Sequence, residues 1–199
     1  MENSGTDSSP RTRTVEFARG YAQRLVQLLE AMDWDSVSRV IEVFLEARSR
    51  RSTIFFVGNG GSAATASHFA NDMCVCASPQ DRTPFRALSL TCNNSHLTCL
   101  ANDFGYDTVF SLQLRNLMEP GDVVVGISAS GNSPNVVNAL EFADRNGGVS
   151  VALVGFDGGR MKEIARHCIH VRTDKGEYGP AEDMHMVLDH LISNYLASV

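Results

Sequence analysis

The chain has 199 residues, 43% of them hydrophobic and 20% charged, and a formal net charge of -6 at pH 7. That is the size and balance of one soluble domain with a real core, and it offers no basic footprint to a nucleic acid or an anionic membrane. No apolar run approaches the roughly 20 residues that span a bilayer, and the start, MENSGTDSSPRTRTVE, lacks the apolar stretch of a signal peptide, so a cytoplasmic protein is expected. The cysteines, Cys74, Cys76, Cys92, Cys99 and Cys168, are odd in number and form no C-x-x-C pair, which reads as reduced thiols, mostly in the core.

In chain order, residues 1–12 are polar with Pro10 and read as a frayed, disordered start, leaving 13–199 as one domain. Residues 15–32 carry Phe17, Tyr21, Leu25, Val26, Leu28 and Leu29 at helical spacing, and 35–47 carry Val37, Val40, Ile41, Phe44 and Leu45. This pair, within residues 13–50, is more amphipathic surface than one small sheet hides, so it is expected to pack also against copies of itself. From residue 53 strands and helices alternate. Strands are predicted at 53–57, 85–90, 122–127, 149–154 and 168–172, and helices at 62–75, 95–101, 107–118, 133–146, 159–166 and 181–197. Short Val, Ile and Leu runs between helices predict an α/β fold, a parallel sheet covered on both faces.

Two stretches carry the functional signal. In TIFFVGNGGSAATASHFAND an apolar strand meets Gly58, Gly60 and Gly61 and then a helix with Ser62 at its expected N-cap, so backbone N–H groups, a hydroxyl and the positive helix end aim at one anion. DVVVGISASGNSPNVVN repeats the logic with Ser128, Ser130 and Ser133 around Gly131 and Pro134 in the first turn. Two such loops at the carboxyl ends of two parallel strands predict a phosphorylated small molecule. Gly58, Gly60 and Ala63 also satisfy the dinucleotide pattern G-x-G-x-x-A, but the next strand ends in Leu88-Ser89-Leu90-Thr91-Cys92-Asn93 with no acid for a ribose, so no nucleotide cofactor is expected.

With GNGGSAATASHFANDM, NDFGYD at 102–107, GDVVVGISASGNSPNVVNAL, GFDGG at 155–159 and the terminal EDMHMVLDH, the chain resembles the sugar isomerase (SIS) domain family from about residue 15 to its end. Within that family it is most similar to the phosphoheptose isomerase branch, the D-sedoheptulose 7-phosphate isomerases. The resemblance implies a flavodoxin-like sheet, a homotetramer built partly through the N-terminal helices, and a sugar phosphate held by Ser62, Ser128, Ser130 and Ser133, with Asn59 and Gly60 lining the turn. Asn93, at the end of the second strand, is a further candidate substrate contact.

An aldose–ketose interconversion moves one proton between adjacent carbons and another between their oxygens, so it needs a base, an acid and a stabiliser of the enediolate. His68 and Asp72 lie four residues apart on one face of the helix that begins at the first loop, and Glu182, His185, Asp189 and His190 recur on the last helix. Carboxylates and imidazoles facing one another could carry protons directly or hold a divalent metal such as zinc. The resemblance places the family's functional positions on His68, Asp72, Glu182 and His190. Asp72 and His190 are its candidate catalytic groups, Glu182 a candidate substrate contact, and all four a candidate metal set. Here Asp72 stands for the family's glutamate and Glu182 for its glutamine, and the family's arginine after the first acid is missing from 73–77. The other reading is a non-catalytic sugar-phosphate sensor or an adaptor of the replication-initiator-binding kind, which would not need ionisable groups at all four positions.

Overall fold

The computed structural model describes residues 9–199. The helices are α1 Pro10–Glu30, α2 Trp34–Arg50, α3 Gly61–Val75, α4 Asn94–Phe104, α5 Val109–Leu117, α6 Pro134–Arg145, α7 Gly159–Ile164 and α8 Tyr178–Ser198. The strands are β1 Thr53–Gly58, β2 Arg86–Ser89, β3 Val123–Ser128, β4 Val149–Val154 and β5 His167–His170, with a 3-10 turn at Tyr106–Thr108. Residues 1–8 of the expected frayed start lie outside the described residues, but residues 10–12 are already helical. Proline fits a first helical position, where no intrahelical N–H bond is lost, and the Ser9 side chain caps the turn by accepting from Thr12 N.

The strands pair in the order β2-β1-β3-β4-β5, all parallel, the flavodoxin-like arrangement. The chain leaves β1 towards β2 on one side and returns through β3 on the other. The loops after β1 and β3 therefore diverge from adjacent strands, and a crevice opens between them.

Side chains alternate across the sheet because a strand has a period of two. Ile54, Phe56, Val123, Val125, Ile127, Val151, Leu153 and Ile169 face a layer made by α1, α2, α3 and α8, where Phe44, Phe69, Met184 and Leu188 are buried. Phe55, Val57, Val124, Ala152 and Val154 face α4 to α7, with Phe110, Leu114, Leu140 and Met161. On the first face Phe69 packs 4.7 Å from Phe56 and edge-on to Phe44 at 6.0 Å, which fixes the rotation of α3 about its axis. Only part of α1 joins this layer; Val15, Phe17 and Val26 are exposed.

The cysteines depart from expectation: Cys74, Cys76, Cys92 and Cys99 are exposed and only Cys168 is half-buried. They stand on the outward sides of the last turn of α3, of α4 and of the loop between β2 and α4, where the sheet offers no cover. None forms a disulfide among the described residues, and no helix there is long and apolar enough to cross a membrane.

Candidate functional site at the crevice between β1 and β3

The first loop turns sharply because Gly58 has no side chain: a Cβ there would lie 2.5 Å from the Ser62 carbonyl oxygen. Gly60, at φ 54°, is the N-cap, so α3 starts at Gly61, and Ser62 sits one residue inside the helix, buried, rather than at the expected cap. The positive φ of a glycine lets the chain enter the helix earlier than a serine cap would.

In the second loop the three expected serines do converge. Ser128 Oγ is 3.4 Å from Ser130 Oγ and 3.2 Å from Ser133 Oγ, and the N–H groups of Gly131 and Asn132 donate to Ser128 and Ser130. Gly131 makes this possible. At φ 64° it takes a left-handed conformation, and a Cβ would come within 2.0 Å of the Gly158 carbonyl oxygen. The GFDGG segment is thus the buttress of the loop: Met161 N donates to Gly131 O and Arg160 N to Asn132 Oδ1, both at 2.9 Å. A cavity of about 340 Å³ opens beside Ser130, with Lys175, Phe156 and Tyr178 in its wall.

A pair of asparagines ties the two loops together. Asn59 Nδ2 donates to Asn135 Oδ1 at 2.9 Å, and Asn135 Nδ2 returns a bond to Asn59 Oδ1 at 2.8 Å. Tyr106 O–H donates to the same Asn59 oxygen, and Val136 N donates to Asn135 Oδ1. Asn135 was not singled out from the sequence. An Asn after the first-turn proline looks like an ordinary polar helix start, and its partner is 76 residues away. Asn93, the expected substrate contact, is the N-cap of α4, where its Oδ1 accepts from His96 N at 3.1 Å.

α3 and α8 start at the same edge of the sheet and run side by side. Two to three turns into α3 and about three turns into α8, imidazoles and carboxylates meet. His68 Nε2 lies 3.1 Å from His190 Nε2, 3.5 Å from Asp72 Oδ2 and 4.0 Å from Asp189 Oδ2, and one ligand atom from each of the four residues lies within 4.8 Å of every other. His68 and His190 are open to solvent, whereas Asp72 and Asp189 are buried. Burial, and then the charge of Asp72, push the Asp189 carboxyl up to about 7, opposed by the hydrogen bond from Ser193 and the charge of His68.

Glu182 is not in this group within the chain. It belongs to the second turn of α8 and rests on the start of α3, where a Cβ on Gly61 would come within 2.3 Å of its Oε2. One turn on, His185 is wholly buried with neither ring nitrogen hydrogen-bonded. Burial pushes it down to about 4.

A model of the SIS domain family matches residues 16–155. The chain is 44% identical over 162 residues to a phosphoheptose isomerase of Akkermansia muciniphila, covering 81% of this chain and 82% of the relative. It belongs to the SIS domain family, in the phosphoheptose isomerase branch. A probable phosphoheptose isomerase of Thermoplasma acidophilum is 35% identical over 175 residues, 88% of this chain and 94% of that one. Among solved structures, the phosphoheptose isomerase GmhA from Neisseria gonorrhoeae superposes with a TM-score of 0.85 at 30% identity, covering 96% of this chain and 100% of that one. The agreement spans α1 and α2 as well as the sheet, so the helical pair is part of the branch's fold.

Proposed function

We propose that the protein is an aldose–ketose isomerase of sugar phosphates, acting on D-sedoheptulose 7-phosphate or a closely similar ketose phosphate. The observation that carries the reading is the juxtaposition of two phosphate-type loops with a His/Asp cluster two to three turns further along α3 and α8, in a chain whose relatives bear the name phosphoheptose isomerase.

Ser62, Ser128, Ser130 and Ser133 hold the phosphate, with Asn59 and Gly60 lining the turn and the N-terminus of α3 supplying positive potential. The sugar then extends along α3 towards His68 and Asp72, with Glu182 beside its path. In a purely acid/base version Asp72 takes the proton from one carbon and returns it to its neighbour while His190 serves the oxygens. The donor set also suits a divalent cation such as zinc, which when bound would polarise the sugar oxygens as a Lewis acid. Ionisable groups at all these positions favour an enzyme over a sensor or adaptor. The protein is proposed to be a cytoplasmic homotetramer, with the exposed Val15, Phe17 and Val26 of α1 at a contact between copies.

The test is conversion of D-sedoheptulose 7-phosphate followed by NMR. Asp72→Asn and His190→Ala should each lower kcat by about 100-fold or more with little change in KM. Undiminished turnover by the double variant would remove both from the mechanism. A chelator abolishes turnover only if a metal takes part. A stable monomer in sedimentation at micromolar concentration would refute the oligomer.

A further inference from the structure

We infer that Lys175 is the cation of the phosphate site, presented by a tight turn at residues 174–177 to the cavity that opens beside Ser130. This rests on the phosphate reading of the serine loop above, and it is tested by binding alone, without turnover.

The two phosphate loops are built without a cation. Neither residues 58–62 nor residues 128–134 include a lysine or arginine, and the N–H groups of Gly131 and Asn132 already donate to Ser128 Oγ and Ser130 Oγ, at 3.2 and 3.3 Å. Hydroxyls and the N-terminus of α3 are left to face a group that carries about 1.5 to 2 negative charges at neutral pH. The cavity beside Ser130, about 340 Å³, falls within the roughly 300–1,000 Å³ of small-ligand sites. Among the described residues Lys175 is the one lysine or arginine in its wall.

The sequence Thr173-Asp174-Lys175-Gly176-Glu177 places that lysine. Glu177 N donates to Asp174 O at 3.0 Å, closing a four-residue turn with Lys175 and Gly176 at its centre. Gly176 has φ 100°, and the non-glycine residues with positive φ among those described are Arg51 and Phe156, so Lys175 keeps a negative φ. Negative then positive φ makes a type II turn, whose third position calls for glycine. The turn is tied down on both sides. Asp174 N donates to Glu177 Oε2 at 2.8 Å, and the Arg24 guanidinium grips both oxygens of Glu177 at 3.1 and 2.7 Å. Ahead of it, Thr173 Oγ1 accepts from Phe156 N at 3.1 Å, and Phe156 packs edge-on against Tyr178 at 5.0 Å. Lys175 is exposed at the tip, with no hydrogen bond or ion pair among the described residues. Asp157 and Asp174 share the cavity wall, but Asp157 is engaged by Gly159 N at 3.1 Å and neither closes an ion pair with the ammonium. A fixed turn thus holds an uncommitted point charge beside a cradle of neutral donors, and a phosphate supplies the partner that each lacks.

The experiment titrates the protein with inorganic phosphate, read by calorimetry and by ³¹P NMR. Lys175→Met should raise Kd about 10- to 100-fold, the range for losing one bond to a charged group. Lys175→Arg should stay within about threefold of wild type, since a guanidinium also binds phosphate. The salt dependence of Kd separates a phosphate contact from a structural effect: it should be weaker in Lys175→Met than in wild type, because one screened charge is gone. Melting should be the same in all three proteins, as the side chain is exposed and unpaired. An unchanged Kd and salt dependence in Lys175→Met, with binding weakened in Ser130→Ala, overturns the inference and leaves the cradle intact. Phosphate affinity unchanged in both variants, or absent from wild type, overturns the cradle reading together with it. Weakened binding in Lys175→Met, in a protein that isomerises no sugar phosphate, would support the inference and overturn the isomerase reading alone.

Discussion

Replacing Asn135 by Ala removes the strut between the two loops, and its cost can be worked out bond by bond. Three neutral hydrogen bonds disappear: the two exchanged with Asn59 at 2.9 and 2.8 Å, and the one Asn135 Oδ1 accepts from Val136 N at 3.0 Å. At about 1 kcal/mol net each, less what the half-buried Asn59 recovers from water, the loss of stability should be about 2 kcal/mol. Part of it belongs to the pair alone. In a double-mutant cycle with Asn59→Ala, the coupling should be about 1–2 kcal/mol, because either single change already breaks both mutual bonds. Urea unfolding of the four proteins gives the coupling, and KM for the sugar phosphate, measured in parallel, should rise as the loops lose their fixed spacing. A coupling within 0.3 kcal/mol of zero, inside the usual error of additivity, together with unchanged KM, would refute the strut.

Ser130→Ala deletes a hydroxyl from the cradle; at roughly 1.5–3 kcal/mol for a bond to a charged group, KM should rise about 10- to 100-fold, and an unchanged KM would take Ser130 off the phosphate. Gly131→Ala should cost more than 2 kcal/mol in urea unfolding, about 1–2 from the left-handed backbone and the rest from a Cβ driven against the backbone of Gly158; a smaller loss means that the buttress can yield. His185 makes stability depend on acid. Its folded-state value of about 4 lies below the 6.5 of an unfolded histidine, so between those values the unfolded chain binds the extra proton. Its contribution is then complete above pH 6.5 and lost as pH falls to 4, about 3 kcal/mol in all. His185→Leu should remove that slope, and identical slopes in the two proteins would show that His185 protonates freely in the fold.

The fold was legible because the sequence states it redundantly. Runs such as Val123-Val124-Val125 lie between helices that bury one stripe each, and the strands fall within a few residues of where the pattern puts them. The second loop was legible too, since Ser128, Ser130 and Ser133 are close in sequence and Pro134 marks the helix start. What escaped depends on distant parts of the chain. Asn59 and Asn135 meet only because β1 and β3 are neighbours. The approach of Asp189 to His68 within the chain escaped for a different reason: Met184, His185, Leu188, Asp189, Ile192 and Ser193 are all buried, so α8 lacks the polar stripe from which a facing direction could be read.

The layer that carries the His/Asp cluster is made from segments far apart in the sequence. Tyr21 O–H donates to Asp183 and Arg24 forms a fork with Glu177, contacts that join residues 162 and 153 positions apart. During synthesis α1 and α2 emerge before the sheet, with Leu28, Val40 and Phe44 uncovered, and their cover is incomplete until α8 is also free of the ribosome. The usual order, in which an N-terminal unit folds while the remainder is still being translated, is closed to this chain. The cover of α1 and α2 depends on α8, so a ribosome stalled before α8 would hold a nascent chain with an open hydrophobic face and half of its cluster missing.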